Sequence, residues 1–128
     1  MTECIWIEEQ DALFLHDRLL ALYGGSSGVR DLSLLQSALA RPRLHAVYAT
    51  PVIVALAALY ATAIVRNHPF VDGNKRTAFV VSTLFLELNG YVFSALEEEA
   101  AQAMLALAAG LFDESGYESF LRDHSTQL

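Results

Sequence analysis

The sequence predicts an all-α bundle of about six helices, organised as a single domain over residues 1–128. Three observations lead there. Cap and stop residues recur at helical intervals. No segment alternates polar and apolar residues long enough to build a sheet. Hydrophobic residues make up 54% of the chain and charged residues 18%, which fits a dense core and excludes a disordered chain. At 128 residues, roughly two-thirds of the unfolded surface can be buried in one core.

The first helix is expected from about Glu8 to Tyr23, with Leu13, Leu15, Leu19, Leu20 and Leu22 on its apolar side and Gly24-Gly25 as its stop. After the loop "GGSSGVR", Asp31 can accept the free amides of a second helix, Leu32 to Ala40, which Pro42 should keep from continuing. Thr50 and Pro51 read as cap and first turn of a third helix reaching about Val65. That helix is apolar nearly all round and should be central. Its apolar run, Pro51 to Val65, is about 15 residues, short of the roughly 20 that cross a bilayer.

A fourth helix should start near Asn74 or Lys75 and stop at Asn89-Gly90, followed by a short extended link, "YVF". Ser94 with Glu97, and Ser115 with Glu118, have the spacing of a capping box. They predict a fifth helix over Leu96 to Ala109 and a sixth over about Gly116 to Asp123.

A formal net charge of −7, with Lys and Arg scattered, disfavours direct nucleic-acid binding. One cysteine, Cys4, excludes an internal disulfide, and the acidic start "MTECIWIEEQD" lacks the basic end of a secretory leader. A cytoplasmic chain with no membrane partner is expected.

Against this apolar background, "NHPFVDGNKRTAF", Asn67 to Phe79, gathers a His, an Asp, two Asn, a Lys and an Arg around one Gly. A Gly turn entering a helix leaves backbone N–H groups free at the positive end of the helix dipole, which makes an anion site. Gly73 admits close approach, and Asn74, Lys75 and Arg76 add donors and charge. Asp72, beside a bound phosphate, is best explained as a Mg²⁺ ligand. Pro69 should hold His68 extended, and an imidazole with an ordinary pKa near ~6.5 can take a proton at neutral pH. Each residue alone has an ordinary structural reading; together they describe phosphoryl-group chemistry. A zinc set of His16, His45, His68 and Asp72 is disfavoured, because no two of the His are four apart on a helix.

The pattern resembles the Fic/Doc signature H-x-F-x-[D/E]-G-N at His68, Phe70, Asp72, Gly73 and Asn74. It is most similar to the death-on-curing (Doc) branch, which typically reads H-P-F-x-D-G-N-K-R-T-A. "GGSSGVRDLSLLQSALARP" and "FLELNGY" fit the same branch. The resemblance implies a compact Fic-type bundle with the active loop between the third and fourth helices. AMP-transferring Fic enzymes continue G-N-G-R-x-x-R, whereas Lys75 and Phe79 stand here in place of the second small residue and the last Arg.

For the Doc branch this implies a toxin that transfers the γ-phosphate of ATP to a hydroxyl of a translation factor such as elongation factor Tu, arresting translation. His68 would be the general base, Asp72 the Mg²⁺ ligand, Gly73 and Asn74 the anion cradle, and Lys75 and Arg76 phosphate ligands. Phe70 is expected to plug the loop into the core. Asp31 reads as a cap, Arg30 as pairing across the loop or serving the active site, and Arg66 as a phosphate ligand or a solvated helix end.

Residues 43–51 lie where Fic proteins place a target-aligning flap, with His45 and Tyr48 as candidate contacts. Gln36 stands where many relatives carry an acidic residue. Ser94 to Glu98 approaches the [S/T]-x-x-x-E-[G/N] pattern of a self-inhibitory helix, but Glu99 follows, so inhibition from outside is expected, by a small Phd-like antitoxin whose tail docks as a helix. The competing readings are a Fic-type AMP-transferase and a non-catalytic binding module.

Overall fold

The computed structural model describes residues 4–50 and 52–128. They form α1 (Glu9–Tyr23), α2 (Leu32–Tyr48), α3 (Ile53–Asn67), α4 (Asn74–Leu88), β1 (Tyr91–Phe93), α5 (Glu97–Ala108), α6 (Glu114–Asp123) and β2 (Ser125–Gln127). The all-α class and the loop between α3 and α4 match the expectation.

α3 is the centre, with every residue from Leu56 to Ile64 buried and α2, α4, α5 and α6 packed around it. A helix apolar on all sides has no solvent face to offer, so it is stable only when surrounded. Tyr60, Phe85, Leu86, Tyr117 and Leu121, all fully buried, tie α3, α4 and α6 into one core. Tyr60 carries the N-terminal segment as well: its hydroxyl accepts the Ile7 amide at 3.0 Å, and burial pushes its pKa up to about 12.

α1 starts where Asp11 accepts the Glu8 amide at 2.9 Å, and it buries Ala12 and His16, one turn apart. Leu22, expected on the apolar side, is exposed.

α2 does not stop before Pro42. It runs on to Tyr48 with the proline inside. Leu35, Ala38, Leu39 and Pro42 fall at i, i+3, i+4 and i+7 and are all buried, so the ring continues the apolar stripe, and its burial offsets part of the roughly 3 kcal/mol that an interior proline costs. The expected flap at 43–51 is therefore largely the last turns of α2, where His45 and Tyr48 are exposed. Asp31 caps α2 as expected, accepting the Leu34 amide at 3.1 Å. Gln36 donates to Glu9 at 2.8 Å and ties α2 to α1.

The other caps differ. Pro51 and residues 1–3 lie outside the described residues, and the N-cap of α3 is Val52. Ser94 instead donates its amide to the His124 carbonyl at 2.8 Å, so the chain there is still extended. α5 begins at Glu97 with three glutamates in its first turn, a favourable charge at that end of the dipole. Asp113, not Ser115, caps α6, because its carboxylate reaches the Gly116 amide at 2.8 Å. "YVF" pairs antiparallel with β2 as Tyr91↔Gln127, Val92↔Thr126 and Phe93↔Ser125. Strands of three residues are too short for alternation to reveal.

Candidate active site

The motif occupies the turn from α3 into α4. His68 ends α3 in the left-handed conformation, φ 50° and ψ 55°, and is the one non-glycine residue with positive φ among the described residues. It was expected extended. Pro69 does exclude the right-handed helix at residue 68, but the left-handed well is what closes the helix, with the His68 amide still bonded to the Ile64 carbonyl at 3.0 Å. The imidazole is exposed.

Phe70 and Asn74 hold the turn. Phe70 is fully buried and lies on the ring of His16 from α1. The Asn74 carboxamide accepts from the Phe70 amide and donates to the Phe70 carbonyl, each at 2.9 Å. Because the Asn74 side chain is buried in this ring of bonds, what Asn74 can offer a ligand is its backbone N–H. Gly73 is the N-cap of α4, with φ 81° and no capping side chain. The first amides of α4 thus open outward without an intrahelical acceptor.

Asp72 sits beside that opening, with both carboxylate oxygens positioned by backbone amides. Oδ1 accepts from Gly73 at 2.9 Å and Oδ2 from Ser26 at 3.2 Å. These two bonds, and then the charges of Lys75 and Arg76, hold its carboxyl below the usual range. The Ser26 contact depends on Gly25, where an added Cβ would lie 2.8 Å from Asp72 Oδ2. Lys75 and Arg76 are exposed, and the Arg76 guanidinium lies 4.3 Å above the centre of the Tyr23 ring.

His68, Asp72, Gly73, Asn74, Lys75 and Arg76 all line one cleft of about 750 Å³. Its other wall is apolar: Leu19 of α1, Phe79 of α4, and Ala100, Ala101, Met104 and Leu105 of α5, with Glu97 at the rim. A cleft of that size, apolar on one side and anion-seeking on the other, suits a molecule with a flat apolar part and a polyanionic part.

The Fic/DOC family model matches residues 6–86, which take in α1 through most of α4 and the whole loop. The chain belongs to the Fic/DOC family. It is similar to Toxin Doc of Mycolicibacterium smegmatis, 43% identical over 75 residues, covering 57% of this chain and 58% of that protein. It is also similar to Protein kinase doc of Escherichia phage P1, 31% identical over 118 residues, covering 91% of this chain and 92% of that protein. Both relatives put it on the Doc branch of Fic/DOC.

Two residues from outside the motif hold the Fic/DOC loop: His16, whose contact the sequence does not predict, and Arg30, which pairs across the loop as expected. His16 donates from Nε2 to the Asp72 carbonyl at 2.8 Å. Arg30 donates from Nε to the His68 carbonyl at 2.7 Å and from Nη2 to the Asn67 carbonyl at 2.9 Å. Asp31, next to it, remains a cap, with its own carboxyl lowered first by the Ser33 hydroxyl and then by the Leu34 amide. Arg66 is exposed in the last turn of α3. No helix is long and apolar enough to cross a membrane among the described residues.

Proposed function

We propose that residues 1–128 act as one Fic/DOC domain that transfers the γ-phosphate of ATP to a hydroxyl of a translation factor resembling elongation factor Tu, and so arrests translation as the toxin of a toxin–antitoxin pair. The observation that carries this reading is the single cleft onto which an exposed imidazole, a charged carboxylate and the open start of α4 all converge. The phage relative named a protein kinase supports phosphoryl transfer. The share of helices in one hydrophobic core supports a single domain.

In this reaction His68 takes the proton of the attacking hydroxyl, whose oxygen forms a bond to the γ-phosphorus while the bond to the β-phosphate oxygen breaks and ADP leaves. The amides at the start of α4, with Lys75 and Arg76, hold the phosphates and the charge that develops on them. The Ala and Met wall of α5 offers an apolar surface for the flat part of the nucleotide.

A magnesium ion suits the donors present. Among the described residues no cluster of three His, Cys, Asp or Glu offers a full protein cage. Magnesium typically takes one or two carboxylates and completes its shell with phosphate and water, and Asp72 is such a carboxylate: exposed, ionised and beside the anion site. Bound there, the ion would neutralise phosphate charge.

Phe79, in place of the arginine of AMP-transferring loops, favours phosphate over nucleotide transfer, since it puts an apolar ring where a guanidinium would grip phosphate. The partner is proposed to be a small Phd-like antitoxin with a helical tail; the exposed Phe14 and Leu22 of α1 would form part of its groove.

The test is intact-mass analysis of translation factors after incubation with the protein, ATP and magnesium. A gain of one phosphate, lost in His68→Ala, is expected. A gain of one nucleotide would replace this reading with AMP transfer, and toxicity that survives His68→Ala and Asp72→Ala would replace it with a binding module.

A further inference from the structure

The last carbonyls of any helix lack intrahelical partners, and at the end of α3 they belong to the residues around His68. Two of them, and the Pro69 carbonyl that follows, are taken by one residue of another segment. Arg30 Nη2 donates to Asn67 O at 2.9 Å, Arg30 Nε to His68 O at 2.7 Å, and the Arg30 amide to Pro69 O at 2.7 Å. The Asp31 amide adds a second bond to Pro69 O at 3.0 Å, and Asn67 Nδ2 anchors to Leu34 O at 2.8 Å. These bonds surround the residue whose backbone is in the least favourable well, a left-handed conformation that an L-residue other than glycine adopts at a cost.

We infer that Arg30 is a positioning residue: its guanidinium fork, bridging the carbonyls of Asn67 and His68, holds His68 in the left-handed turn that presents the imidazole to the cleft. The chemistry of the fork is specific. A guanidinium supplies two parallel donors in one plane, matching two adjacent carbonyls, and its charge suits the negative end of the α3 dipole. A lysine ammonium can reach one carbonyl but cannot bridge both. Released from the fork, residues 67–69 can relax towards the extended conformation that the following proline favours, which would swing the imidazole away.

The inference rests on His68 being the base, and two separate readouts keep it distinguishable from that reading. In the transfer assay, Arg30→Ala should lower kcat by roughly 10- to 100-fold, the cost of a misplaced catalytic group, while nucleotide Kd stays within about threefold because the phosphate site is on α4. Arg30→Lys should recover little, whereas millimolar guanidinium added to Arg30→Ala should recover part of the lost rate, since the side chain is exposed and its place open to solvent.

The second readout needs no turnover. The imidazole resonance of His68, assigned by its absence in His68→Ala, should be single in the wild type and broadened or split in Arg30→Ala. Unchanged kcat, or a parallel loss of kcat, nucleotide affinity and melting temperature without guanidinium recovery, would overturn the inference. If the wild type transfers no phosphate, the proposed function fails, and the His68 resonance alone decides whether Arg30 sets that turn.

Discussion

The imidazole of His16 lies flat on the ring of Phe70, with centroids 3.8 Å apart and planes within 9°, while its Nε2 is 2.8 Å from the carbonyl oxygen of Asp72. A carbonyl only accepts, so Nε2 carries the proton. One buried side chain thus grips the loop by stacking at residue 70 and by a hydrogen bond at residue 72. His16→Ala should cost about 3 kcal/mol, the sum of a lost stack and an unpaired carbonyl. His16→Phe keeps the stack and should cost about half of that. Urea unfolding midpoints of the two variants check the order.

Gly25→Ala should damage the site more than Gly24→Ala. Both glycines have positive φ, 122° and 80°, so both substitutions carry backbone strain of about 1 kcal/mol. Only at Gly25 would the new Cβ press on Asp72 Oδ2; at Gly24 nothing lies within 4 Å. Phosphate transfer should therefore fall at least tenfold in Gly25→Ala and stay near wild type in Gly24→Ala, a difference worth about 1.4 kcal/mol in the barrier.

Asp72 should give the fold an acid limb. Its folded pKa lies below its ordinary 3.8, held there first by the Ser26 amide and then by the Gly73 amide. A depressed carboxyl contributes stability that is complete above the unfolded pKa and is lost as pH falls through the folded one. The melting temperature of the wild type should fall more steeply below about pH 4 than that of Asp72→Asn.

His124 acts in the opposite sense. The Phe120 carbonyl at 2.9 Å, and then Glu99 at 3.2 Å, raise its pKa above 6.5 despite partial burial. A raised histidine contributes stability that is complete below the unfolded pKa and lost as pH climbs through the folded one. Between roughly pH 6 and pH 8 the wild type should lose melting temperature relative to His124→Gln, in which the link from α5 to the end of α6 no longer titrates.

Ala101→Phe tests the cleft rather than the motif. Ala101 is exposed on α5 and lines the wall facing the start of α4, so a phenyl ring there can fill the cleft without entering the core. Nucleotide affinity, read by calorimetry, should weaken at least tenfold, about 1.4 kcal/mol, with the melting temperature unchanged.

The turn itself was legible because its parts are contiguous: the glycine that opens α4, the Asp72 carboxylate beside it and the buried Phe70 plug lie within a few residues, and local spacing fixes their relation. The His16 stack was not legible, and of the Arg30 latch only the pairing across the loop was, not the carbonyls it takes. Arg30 and His68 are 38 residues apart, and His16 and Asp72 are 56 apart, so only the packing of α1 and α2 against the loop brings them together. The α5 wall left no signal either, since Ala100, Ala101 and Met104 look like ordinary helix filler. Pro42 misled because its local preference was weighed without the buried stripe that overrides it.

The full enclosure of α3 has a dynamic corollary. Amides from Leu56 to Ile64 are buried on every side and should be the slowest in the molecule to exchange with deuterium, whereas residues 24–30 are exposed, and the amides of Gly25, Ser27 and Gly28 there should exchange early. The proposed base therefore hangs from the most enclosed helix, while its latch and the clamp on Asp72 belong to an exposed segment. A brief local opening there would thus displace the proposed base while the rest of the molecule keeps its protection.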